Sequence, residues 1–188
     1  IPKGVFHFLT GKGSEIGEYL INHENVQMVA FTGSQAVGNQ IIEKTAKTAP
    51  NNPHIKRVIA EMGGKNGIIV DESADLDEAV KGVVKSAFGY SGQKCSACSR
   101  VIVVESIHDI FLERLKAAVA CLTVGATDNP ATQVGPVIDE KAYHSIVKYI
   151  EIGKTEATLA AQAELPHVKG YYIPPTIFSN AKPKHLIA

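Results

Sequence analysis

Short apolar runs alternate with amphipathic stretches along this chain, and the spacing leaves few folds open. Val26 to Phe31, Arg57 to Ala60, Gly67 to Val70 and Arg100 to Glu105 each read as a strand. Between them lie stretches with helical periodicity: Ser34 to about Lys47, and a run opened by Asp75 with Leu76, Ala79, Val80, Val83, Val84 and Ala87 on one face. Ser34 is placed to cap the first, and Asp75 with Glu78 resembles a capping box for the second. Strand, helix and strand in repeated order is the pattern of an α/β fold, with a mostly parallel sheet and crossover helices. Flanking this frame, Gly4 to Leu9 is expected as a strand and Ser14 to Ile21 as a helix. Further helices are expected over Ile107 to Leu122 and Glu140 to Ile152, and extended segments over Tyr171 to Ile173 and Thr176 to Phe178. Pro174 and Pro175 confine the segment before them to a sheet edge or strand end, and Thr48 to Pro53 reads as a loop.

A chain of 188 residues that is 45% apolar can build a buried core. Its 19 basic and 19 acidic residues cancel without a long block of one sign, which argues against a nucleic-acid footprint or a membrane-surface patch. No apolar run approaches the roughly 18 residues of a membrane helix. Three cysteines do not make a secreted disulfide framework, so a reducing compartment is expected: cytoplasm, or the mitochondrial matrix in a eukaryote. The chain opens on Ile1 and Pro2 without an initiator Met and stops in an Ile-Ala segment, the expectation being an internal fragment.

Chemistry concentrates at three places. Gly92, Gln93, Lys94 and Cys95 put a thiol after a glycine-rich turn, and a thiolate is the side-chain nucleophile most accessible near neutral pH. Glu61, followed by Met62, Gly63, Gly64 and Lys65, ends an apolar strand and is a candidate general base. Phe31, Thr32, Gly33 and Ser34, with Val37 and Gly38, join a strand to a helix start, where free N–H groups suit phosphate oxygens. Each also has an ordinary reading: Glu61 as a solvated strand end, Gly33 to Gly38 as a plain strand–turn–helix, and Cys95 as a small hydrophobe. Cys98 and Cys121 are expected to be buried in that last sense. The Cys95–Cys98 pair invites a zinc or redox reading, but one CxxC without a second ligand pair is poor support, and no metal is expected. His108 and His144 stand alone.

Taken in order, these segments resemble the aldehyde dehydrogenase superfamily over nearly the whole chain. Gly92 to Ser99 with Arg100, Tyr149 to Lys154 and Gly170 to Thr176 are similar to the branch that oxidises glutamate γ-semialdehyde (1-pyrroline-5-carboxylate) to glutamate in proline catabolism. The resemblance implies parts of two three-layer α/β domains. Residues 1–62 would be the later part of the NAD-binding domain and 63–188 the earlier part of the catalytic domain. It implies Cys95 as catalytic nucleophile, forming a thioester, and Glu61 as catalytic base for its hydrolysis. Gly33, Ser34, Gly38 and Gly63 would line the cofactor, NAD or NADP, and Ser96 would contact the substrate carboxylate. It further implies a small aldehyde substrate and a homo-oligomer in the intact protein. The family's oxyanion-hole asparagine, cofactor-binding lysine, ribose-binding glutamate and carboxylate-anchoring loop match nothing here, so the isolated segment is expected to be inactive. Two alternatives stay open: a dehydrogenase for another semialdehyde, and a non-catalytic nucleotide-binding homologue.

Overall fold

Parallel pairing of β1 (Met28–Thr32) with β2 (Arg57–Glu61), and of β3 (Asn66–Val70) with β4 (Cys98–Val103), forms the frame of a computed structural model that describes residues 1–47, 54–165 and 169–188. The expected loop at Thr48 to Pro53 lies outside the described residues. The chain divides into two units, Ile1–Gly63 and Gly64–Ala188.

In the first unit a π-helical turn, Gly13–Gly17, runs into α1 (Glu18–Asn22), in place of the single helix expected from Ser14. The Lys56 ammonium donates to the carbonyls of Ile21 and His23, both at 2.7 Å, placing a cation on the open carbonyls at the end of α1. Helix α2 (Gln35–Ala46) crosses between β1 and β2. Ser34 caps it by accepting from the Val37 amide at 3.4 Å, and the Thr45 hydroxyl, buried with Ile41, donates to the Ile41 carbonyl at 2.7 Å. Residues 4–9 do not form the expected strand. Gly4 adopts a left-handed φ of +82°, and Val5, Phe6, Phe8 and Leu9 stay exposed. Among the described residues no strand pairs with this segment, and an apolar run without a ladder partner has nothing to hold it extended.

In the second unit α3 (Leu76–Phe88) connects the parallel strands β3 and β4, and α4 (His108–Ala120) packs beside α3. Asp75 caps α3 by accepting from the amides of Asp77 (3.0 Å) and Glu78 (3.2 Å). The second half of the expected capping box does not form, because the Glu78 carboxylate pairs with Lys81 at 2.7 Å instead. One core gathers Val70 from β3, Val80 and Val83 from α3, Phe111, Leu115 and Val119 from α4, and Ala163. Burying each larger side chain there contributes about 1.5–3 kcal/mol. α5 (Glu140–Glu156) runs a turn further than its periodicity suggests and leads into β5 (Thr158–Gln162), which pairs antiparallel with β6 (Thr176–Ser179). β5 carries no sequence signal, since Thr-Leu-Ala-Ala-Gln is poor in β-branched and aromatic residues. Tyr171 to Ile173 lies outside the ladder, though the Tyr171 carbonyl accepts from the Val137 amide at 2.9 Å. β4 is shifted against expectation, starting at Cys98 and ending before a 3₁₀ turn over Glu105–Ile107.

Candidate active site

Because β1 and β2 run parallel and in register, Thr32 opposite Glu61, both strands end at one edge. The Gly33 amide donates to the Glu61 carbonyl at 3.0 Å, tying the two ends together. Glu61 itself is exposed, as strand alternation places it. The carboxyl edge of parallel strands is where α/β sheets take ligands. At that edge Ser34 is exposed and Gly38 is buried one turn into α2. The Val37 and Gly38 amides are taken by the Ser34 hydroxyl and carbonyl, leaving the first-turn N–H groups of Gln35 and Ala36 open to an anion. That donor set, on a twelve-residue helix, fits a nucleotide phosphate. Gly63 is exposed, with open space where a Cβ would stand. The first unit therefore brings Glu61, Gly33, Ser34 and Gly38 to one edge.

The second unit carries Cys95 and Ser96, both exposed, on the loop between α3 and β4. After Gly89, that loop carries three consecutive left-handed residues: Tyr90 (φ 57°), Ser91 (φ 56°) and Gly92 (φ 71°). A left-handed conformation costs about 1–2 kcal/mol for each residue with a Cβ. Tyr90 and Ser91 are held in it by neighbours: the Ser91 hydroxyl donates to the Gly135 carbonyl at 2.8 Å, and the Gln93 amide to the Tyr90 carbonyl at 3.1 Å. The Gln93 side chain accepts from the Ile138 amide at 2.9 Å, fastening the loop again to the segment before α5. On its far side the Asn66 carboxamide donates to the carbonyls of Cys95 (2.7 Å) and Ala97 (3.1 Å). Strain of this kind collects at functional sites, where the surroundings hold it in place.

Cys98 lies buried behind this loop, its thiol against the Arg100 carbonyl at 3.3 Å, and burial pushes its pKa up. One cysteine of the CxxC is thus exposed and the other buried, and no three His, Cys, Asp or Glu side chains gather as metal ligands among the described residues. Cys121 departs from expectation. It is exposed, because α4 ends at Ala120 and Cys121 caps it outside the core. Sequence reasoning assigned no role to Ser91, Gln93 or Asn66. Their partners are 44, 45, 29 and 31 positions away, so the only local signal was an asparagine opening an otherwise apolar strand.

The family model for the aldehyde dehydrogenase family matches residues 1–188. The chain belongs to the aldehyde dehydrogenase family. Among curated relatives, 1-pyrroline-5-carboxylate dehydrogenase of Bacillus subtilis (strain 168) is 49% identical over 180 residues, covering 96% of this chain and 35% of that protein. A 1-pyrroline-5-carboxylate dehydrogenase from Thermus, solved with bound NAD, superposes with a TM-score of 0.94 at 42% identity, covering 100% of this chain and 36% of that one. Proline utilization A from Bdellovibrio bacteriovorus, inactivated by N-propargylglycine, superposes with a TM-score of 0.91 at 47% identity, over 95% of this chain and 18% of that one. The chain thus spans about a third of the length of the curated relatives it matches.

Proposed function

We propose that this chain supplies the nucleophile and the hydrolytic base of an NAD-dependent oxidation of glutamate γ-semialdehyde to glutamate in the whole enzyme. The observation that carries the reading is the presentation of Cys95: an exposed thiol on a braced, left-handed loop, in a chain whose relatives are named for this substrate's cyclic form. The division at Gly63–Gly64 supports assigning residues 1–62 to the cofactor-binding part and 63–188 to the catalytic part.

In this reading the Cys95 thiolate adds to the aldehyde carbon, forming a C–S bond while the carbonyl pair moves to oxygen. The backbone N–H of Cys95 donates to that oxyanion, and one such donor is worth about 10²–10³ in rate. NAD⁺, when bound, would supply the hydride acceptor that oxidises this carbon, and the first turn of α2 beside Gly33 and Ser34 would hold its phosphates. With that carbon oxidised, the acyl group rests on Cys95 as a thioester. Glu61 takes a proton from water, the water oxygen attacks the thioester carbon, and the C–S bond breaks to return the thiolate. The Ser96 hydroxyl, next to the nucleophile and exposed, donates to the substrate carboxylate.

The test is Cys95→Ala in the intact enzyme. Oxidation of glutamate γ-semialdehyde should be abolished while NAD⁺ still binds, since the thiol performs chemistry and does not hold the cofactor. Near-normal turnover in that variant would sink the assignment.

A further inference from the structure

The asparagine at the head of β3 is in an unusual place for its type. Asparagine is depleted in strands, yet Asn66 opens the run Asn-Gly-Ile-Ile-Val. Its two amide hydrogens are both committed: Nδ2 donates to the Cys95 carbonyl at 2.7 Å and to the Ala97 carbonyl at 3.1 Å. Both contacts are to carbonyl oxygens, so the NH₂ end and not the oxygen must face the loop. The backbone around Asn66 is itself pinned. The Arg100 guanidinium donates to the Lys65 carbonyl through Nε (3.1 Å) and a terminal nitrogen (2.5 Å), and the Ser99 hydroxyl donates to the Asn66 carbonyl at 3.4 Å. Register adds a further cause. Asn66 stands opposite Cys98 and Gly67 opposite Arg100, so Ser99 is an extra residue on β4 and the ladder bulges where the loop enters the strand. Bulges of this kind re-aim the chain beside active sites.

We propose that Asn66 is a positioning residue for the Cys95 loop, a role that rests on Cys95 being the nucleophile. Holding the Cys95 carbonyl fixes the plane of the Cys95–Ser96 peptide. That sets both the direction in which the thiol leaves the backbone and the side on which Ser96 emerges. Holding the Ala97 carbonyl with the same carboxamide prevents the peptide from turning over. Alanine at 66 would leave both carbonyls to water and the loop free to sample other orientations. Aspartate, nearly identical in shape, would set carboxylate oxygens against the same carbonyl oxygens and push the loop away.

The experiment uses the intact enzyme with NAD⁺ and glutamate γ-semialdehyde, comparing Asn66→Ala, Asn66→Asp and Cys95→Ala. Misplacement of a reacting group by about 1 Å can cost ~10²-fold in rate. The expected result is a fall of roughly ten- to a hundredfold in the NADH burst rate of Asn66→Ala and a larger fall in Asn66→Asp, with KM moving less than about twofold. Backbone amide exchange across residues 93–99 should accelerate in both variants while α4 exchanges as before. Asn66→Asp matching the wild type, or outperforming Asn66→Ala, overturns the proposal, because the side chain would then act only by volume. Equal acceleration of exchange in α4 also overturns it, as that is general loss of stability. Normal turnover of Asn66→Ala beside an inactive Cys95→Ala overturns the positioning role alone. Turnover surviving Cys95→Ala overturns the nucleophile reading and the positioning role together.

Discussion

Gly92→Ala probes the turn that delivers Cys95. Gly92 is the third successive left-handed residue, with φ 71°, and the two before it already carry side chains in that region. Alanine would pay the left-handed penalty of about 1–2 kcal/mol. Its Cβ would also sit 3.0 Å from the Ala87 carbonyl oxygen, a backbone atom near the end of α3 that cannot swing aside as a side chain could. Together these make a loss of about 2 kcal/mol if the turn keeps its shape. If the turn relaxes instead, the strain is traded for displacement of Cys95, three residues on, and kcat/KM falls by tenfold or more. The assay is urea unfolding of the intact enzyme, read as a shift in midpoint at constant m, paired with steady-state kinetics. Gly82→Ala is the internal comparison: Gly82 lies inside α3 with nothing within 4 Å of a Cβ. There alanine should stabilise by about 0.5–1 kcal/mol through helix propensity. A Gly92→Ala enzyme as stable and active as the wild type would refute the reasoning, since the left-handed turn would then constrain nothing.

In the proposed mechanism the Glu61 carboxylate acts after acylation, so Glu61→Gln in the intact enzyme should preserve a first burst of NADH and slow the steady rate; equal loss of both would point to a folding role. The hydroxyl-to-carboxylate bond proposed for Ser96 would be worth about 1.5–3 kcal/mol, so in Ser96→Ala use of glutamate γ-semialdehyde should drop about ten- to a hundredfold while simple aliphatic aldehydes are spared; equal losses on both would contradict it. Burial raises the Cys98 pKa, so its neutral thiol contributes stability that is fully present below the unfolded thiol value, about 8.5, and is lost as pH rises through the folded one. Thermal midpoints should therefore fall as pH rises past the unfolded thiol value toward the raised folded one, and fall less in Cys98→Ala; parallel curves for the two proteins would rule the contribution out.

Much of this arrangement was legible in the residues because it is set locally. Ser34 and Asp75 cap their helices through amides two or three positions away, and the apolar spacing of α2, α3 and α4 needs only the helical repeat. Strand–helix–strand order is enough to imply parallel pairing, and the motifs at Cys95 and Glu61 are continuous runs. Tertiary structure decided whatever depends on a distant partner. Residues 4–9 have the apolar content of a strand but no ladder among the described residues, whereas β5 has a weak sequence and becomes a strand because β6 is there to bond it. Cys121 is as apolar in type as Cys98, yet one faces solvent at a helix end and the other lies under a loop. Tyr90 and Ser91 have no intrinsic reason to be left-handed; contacts with Gly135 and within the turn hold them so. The grip of Asn66 on the Cys95 loop spans 29 and 31 residues, and only the pairing of β3 with β4 brings those atoms within a hydrogen bond. Local bonding can be read along a chain, but the orientation of an exposed thiol is fixed by groups that folding alone makes neighbours.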